Sequence, residues 1–159
     1  MTGRMIFAMA LAGDALGLAA CGETPADAPA AEAGIAGMQI SNARMVLAPV
    51  SGNPAAIYFD LAYNGDRGVA LNRAEVKGAK SASFHDYGEY DFKVQMMDML
   101  PLPLKKGDKV EFKPGGKHLM VMEPDASLKP GGTTEATIVI SGGKKQTFPV
   151  EIRAAGDER

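Results

Sequence analysis

Ile57-Tyr58-Phe59-Asp60-Leu61-Ala62-Tyr63-Asn64-Gly65-Asp66 is the stretch that decides the fold class. Ile57, Phe59, Leu61 and Tyr63 fall at every second position with Tyr58, Asp60 and Ala62 between them, and side chains two apart share one face of a strand. The run stops at Asn-Gly-Asp, residue types that accept the backbone angles of a tight turn. It is a half-buried strand entering a turn, and the same period recurs along the chain. Phe92, Val94 and Met96 alternate with Asp91, Lys93 and Gln95; Val110 and Phe112 follow Lys106-Gly107-Asp108; Leu119 and Val121 alternate with His118, Met120 and Met122. Residues 137–140 and 147–152 flank Ser141-Gly142-Gly143-Lys144-Lys145, a glycine-bearing hairpin signal, and Pro149 puts part of the last strand at an edge. After residue 37 no segment sustains a helical period over about ten residues, and turn signals come about every eight to twelve. The expectation is an all-β Greek-key sandwich over residues 38–152, with 153–159 as a short tail.

Composition agrees with one folded domain. Of 159 residues, 46% are hydrophobic and 23% charged, too apolar for a disordered chain and too charged for a membrane bundle. Lys and Arg number 17 against 19 Asp and Glu, a formal charge of -2, which supplies no basic footprint for nucleic acid. A single Cys forbids an internal disulfide.

Ahead of the domain, residues 1–20 have the composition of a secretory signal: Arg4 near the start, an apolar stretch from Met5 to Leu18 and small residues at the end. Asp14 interrupts the stretch, which is also too short to span a bilayer as a stable helix. Leu18-Ala19-Ala20-Cys21 resembles a bacterial lipobox, in which the following cysteine receives a lipid, so Cys21 is expected to be an anchor rather than a nucleophile. Residues 21–37 are almost wholly Ala, Gly, Pro, Glu and Asp and read as a disordered tether. The domain is then expected in the periplasm, held to a membrane through lipid only. Gly22 is not the aspartate associated with inner-membrane retention, which favours the outer membrane.

Of the seven methionines outside the leader, five (Met96, Met97, Met99, Met120, Met122) fall between residues 96 and 122, and His118 stands among them. His118 and Met120 share a strand face with Cα atoms roughly 7 Å apart, close enough for both tips to meet one ion. Imidazole with thioether is a soft donor set that favours Cu(I) over calcium, magnesium or manganese. Methionine is also a common core filler. Leu119 and Val121, however, already supply the apolar face of that strand, so His118, Met120 and Met122 on the other face need a reason, for which a peptide-binding patch would also serve.

These residues resemble the periplasmic copper chaperones of the PCu(A)C type. That family's motif is a histidine, ten residues, a methionine, twenty-one residues, then His-X-Met; His85, Met96 and His118-Leu119-Met120 fit it without a gap. Residues 56–61 with Asn64-Gly65-Asp66 look like the family's first long strand and turn, and Lys113-Pro114-Gly115-Gly116-Lys117-His118-Leu119-Met120 resembles its Pro-Gly-Gly-X-His-Leu-Met segment. The resemblance implies a cupredoxin-like sandwich that binds one Cu(I) through His85, Met96, His118 and Met120. It also implies a client, the binuclear copper centre of cytochrome c oxidase subunit II, and a Sco-type thiol protein as a co-worker. Asp86 stands where the family has an optional methionine, Tyr87, Tyr90 and Phe92 make the intervening loop unusually aromatic, and Met97 beside Met96 leaves the sulfur donor open by one position.

The competing reading is a lipid-tethered module that uses its Met and aromatic surface to hold an envelope protein or peptide and is indifferent to copper. An enzyme has the least support. The chain carries no Gly-X-Ser-X-Gly elbow, phosphate loop or metalloprotease helix, and Asp86 and Glu89 beside His85 are ordinary solvated carboxylates on this reading. Both imidazoles must be neutral to bind a metal, so copper affinity is expected to fall as pH drops through about 6.5.

Overall fold

The structure, a computed structural model, describes residues 34–157. Ten strands follow one another: β1 Met38–Val46, β2 Ala55–Tyr63, β3 Val69–Val76, β4 Ala79–Tyr90, β5 Lys93–Asp98, β6 Leu102–Leu104, β7 Asp108–Phe112, β8 His118–Pro124, β9 Thr133–Ile140 and β10 Lys145–Arg153. Seven of them form a circuit, β4-β8-β2-β1-β10-β9-β3, which closes where β3 meets β4 at Ala74 and Ala82. β5, β6 and β7 are appended to β4, β3 and β2. β8 inserts between β4 and β2, and β10 runs parallel to β1, so the order is that of a cupredoxin-like Greek-key sandwich rolled around one core. The all-β expectation holds: no helix occurs among the described residues.

The alternating stretch from Ile57 to Tyr63 lies in β2, and its pattern is reproduced in the fold. Ile57, Phe59, Leu61 and Tyr63 are buried, while Tyr58, Asp60 and Ala62 are only partly so. Phe59 stacks on Phe112 at 4.2 Å between ring centres, and Phe84 and Phe148 pack against this pair at 5.6 and 5.4 Å. Leu119 and Val121 of β8 are fully buried in the same core. Pro149 lies where β10 has β9 as its register partner; β1 joins only from Glu151 to Arg153, so a residue without an N–H is tolerated there.

β5 departs from the sequence reading. Its period of two is present, yet all six residues are exposed, and Phe92 just ahead of it is 93% exposed. β5 is the outermost strand, paired with β4 alone, so neither of its faces is covered by a second layer. The turn that joins β4 to β5 holds Asp91 and Phe92 at φ 50° and 57°, the two-residue hairpin geometry usually given to Asn-Gly or Asp-Gly.

The leader 1–20, Cys21 and most of the tether lie outside the described residues. At the end of the tether segment Ile35 is buried, and its N–H donates to Gln146 Oε1 at 2.8 Å. Gly37 has φ +80°, its carbonyl accepts from Asn64 N at 2.7 Å, and a Cβ there would collide with the backbone of Asn64 and Gly65. Gly37→Ala is therefore expected to destabilise the domain by about 1–3 kcal/mol, read as a lower denaturant midpoint. An unchanged midpoint would mean that this entry point is not part of the cooperative fold.

Candidate metal centre

Four strands meet at the site. His85 on β4 and His118 on β8 are register partners, with ring centres 5.9 Å apart. Across β4–β5, Tyr87 is paired with Met96 and His85 with Asp98; across β4–β8, Ser83 is paired with Met120; across β2–β8, Ala56 is paired with Met120. Directly opposed residues point to the same side of a sheet. His85, Met96, His118 and Met120 therefore share one face, the one turned away from Leu119, Val121 and Phe84. Met97 is paired with Asp86 and lies on the opposite face, so the register separates Met96 from its neighbour. Met99 is partly buried and packs against the core.

His118 is only 3% exposed although it faces outward. The reason is aromatic cover: the Tyr87 ring centre lies 5.8 Å away and that of Tyr58 6.4 Å, with the Arg44 guanidinium 5.4 Å over Tyr58. His118 Nδ1 lies 2.8 Å from the Gly116 carbonyl oxygen, an acceptor, which orients the ring. The Lys113–Lys117 hairpin supplies that carbonyl and is closed by Lys113 N donating to Lys117 O at 2.8 Å. Beside it Lys117 Nζ donates to Asp86 Oδ2 at 2.7 Å, tying the start of β8 to β4. Burial pushes the Asp86 carboxyl upward, but the Lys117 hydrogen bond and charge and the Tyr87 N–H outweigh it, and the net shift is downward. Asp86 is thus engaged in an ion pair on the face opposite His85.

His85 Nε2 lies 2.9 Å from Asp98 Oδ1 and 2.9 Å from Ser83 Oγ, and its Nδ1 is buried with no hydrogen-bond partner. Burial lowers the pKa of this imidazole; Asp98 opposes that and His118 adds to it, leaving His85 below the ordinary histidine value. The unfolded chain takes up its proton near pH 6.5 while the folded one resists it. This contribution to stability is present above about 6.5 and is lost as pH falls from there through the lower folded value. The denaturant midpoint of the metal-free protein is accordingly expected to drop between about pH 7.5 and 5.5, with a flatter slope in His85→Gln. An equal slope in both proteins would assign the effect to other groups.

A metal–imidazole bond of about 2.0–2.1 Å puts an ion roughly 3.2 Å from a ring centre, so two rings on one ion have centres at most about 6.4 Å apart. The observed 5.9 Å is within that limit. Among the described residues no three His, Cys, Asp or Glu side chains converge. The register adds the thioethers of Met96 and Met120 to the face that carries the two imidazoles, and thioethers are soft donors that favour Cu(I). The aromatic stretch between His85 and Met96, expected as a loop, is instead the β4–β5 hairpin. Sequence reasoning passed over Asp98 and Ser83; the signal for Asp98 was its position two residues after Met96, on the same face of a strand.

The domain is a cupredoxin-like sandwich that carries two histidines and two methionines on one outer face. The chain belongs to the LpqE-like family, whose model matches residues 38–152 and whose description names a lipoprotein. Among solved structures it is similar to the copper-bound PCuAC domain from PmoF2, with 21% identity over 74% of this chain and 93% of the other, TM-score 0.59. The apo PmoF2 PCuAC domain matches at 17% identity over 77% and 94%, TM-score 0.63. The Cu(I) form of DR1885 from Deinococcus radiodurans matches at 20% identity over 82% and 84%, TM-score 0.55. At these identities the likeness establishes the fold. No curated protein matches the chain.

Proposed function

We propose that this domain is a periplasmic copper chaperone that binds one Cu(I) through His85, Met96, His118 and Met120 and passes it to a copper enzyme. The observation that carries the reading is the His85–His118 register pair, with ring centres 5.9 Å apart, flanked on the same face by two methionines. The copper-bound PCuAC domain and the Cu(I) form of the Deinococcus protein support it, since both have this fold. Four neutral donors leave the ion its positive charge, so a partner offering thiolates draws it away; that suits delivery better than retention. Met96, 41% exposed on the outermost strand, is the donor most open to such a partner.

On this reading Cys21 carries the lipid and the domain hangs from a membrane, the outer one favoured, with the binuclear centre of cytochrome c oxidase subunit II as client and a Sco-type thiol protein as co-worker. The protein is not an enzyme. An anaerobic titration of residues 22–159 against a coloured Cu(I) chelator tests the core of the reading, with one equivalent bound as the expected result. A folded protein that takes none would favour a tethered binding module, for which the exposed Tyr90, Phe92 and Val94 of the β4–β5 hairpin would be the contact surface.

A further inference from the structure

His85 is held at one nitrogen and unpartnered at the other. A carboxylate oxygen only accepts, so Nε2, 2.9 Å from Asp98 Oδ1, must be the nitrogen that carries the proton. In a neutral ring the lone pair then sits on Nδ1, the buried atom with no hydrogen-bond partner. Ser83 Oγ, also 2.9 Å from Nε2, can share that proton as a second acceptor. His118 is arranged the other way. Its Nδ1 faces the Gly116 carbonyl at 2.8 Å and must donate, which leaves the lone pair on Nε2.

We propose that Asp98 is a positioning residue of the copper site: with Ser83 it fixes His85 as the Nε2–H tautomer, so that His85 gives Nδ1 to Cu(I) while His118 gives Nε2. The inference rests on the copper reading and adds to it the group that aims one ligand. Acceptors bonded to the far nitrogen of a metal-binding imidazole set its tautomer and orientation, and their loss costs about 10- to 100-fold in metal affinity. Asp98 is the register partner of His85 and stands two residues after Met96, so the outermost strand β5 carries one ligand and the carboxylate that orients another. Displacement of β5 by an acceptor would loosen both at once.

The test uses the full chain with Asp98→Ala, Asp98→Asn and Ser83→Ala. Long-range proton–nitrogen correlation spectra of the metal-free proteins report the tautomer, and anaerobic chelator competition reports Cu(I) affinity. Wild type is expected to show His85 as Nε2–H and His118 as Nδ1–H. Asp98→Ala is expected to mix the His85 tautomers and weaken Cu(I) about 10- to 100-fold, with Ser83→Ala showing a smaller loss. Asp98→Asn keeps an oxygen acceptor and is expected to recover most of both effects, which a merely structural role would not produce. The Asp98 side chain is 82% exposed, so thermal unfolding should barely move. An Nδ1–H tautomer at His85 in wild type, or undiminished affinity in Asp98→Ala, would overturn the proposal and leave the copper reading intact. Failure of wild type to bind Cu(I) would overturn both, whatever the tautomer.

Discussion

The double substitution His118→Ala with Met120→Ala is expected to abolish Cu(I) binding under conditions where wild type takes one equivalent. Both side chains leave β8 on the same face, one beside His85 and the other beside Ser83, so on the proposed ligand set the change removes an imidazole and a thioether from one shell. His85 and Met96 alone offer two donors from two strands, and the loss should exceed the about 10- to 100-fold that outer-shell changes cost. His118 is buried, so alanine there leaves a void, and folding must be checked separately. The single variant His118→Gln keeps more of the volume and is expected to lose binding with little loss of structure. Tyrosine emission offers a second readout: the chain has 4 Tyr and no Trp, and Tyr58 and Tyr87 lie against His118. Wild-type affinity in the double variant would remove β8 from the site.

Phe112→Ala is expected to be the most damaging single change to the fold, costing about 3–5 kcal/mol. Its ring stacks on Phe59 at 4.2 Å and meets Phe84 at 5.6 Å, and it is 1% exposed. A domain of this size has only about 5–15 kcal/mol in total, so Tm should fall by roughly 10–20 °C. Phe92→Ala is the informative comparison, because Phe92 and Phe112 are alike in the sequence, each in an alternating run beside a charged residue. Phe92 projects from the hairpin tip, and its loss should stay within about 0.5 kcal/mol. Equal effects of the two changes would contradict the placement of β5 outside the core.

These two phenylalanines show where local pattern stops being informative. A period of two says which residues share a face, and that is a property of the strand itself. It fails to say whether anything covers the face, because cover comes from strands remote in sequence. The Asp91-Phe92 turn was missed for a related reason: neither residue is the glycine that positive φ usually demands, and the pairing of β4 with β5 holds the turn in place.

The sequence by itself determined the all-β class, the separation of His118 and Met120 from Leu119 and Val121, and the spacing of two histidines and two methionines that resembles the PCu(A)C motif. Each follows from chain-local geometry or from residue order. Tertiary structure alone decided that His85 stands opposite His118, that Met96 shares their face and Met97 does not, that Tyr58 and Tyr87 bury His118, and that Asp98 reaches His85. All of these depend on the register between strands. A one-residue slip of β5 would exchange Met96 for Met97 and carry Asp98 to the other face. Register is set by the packing of the whole core, and no single strand contains it.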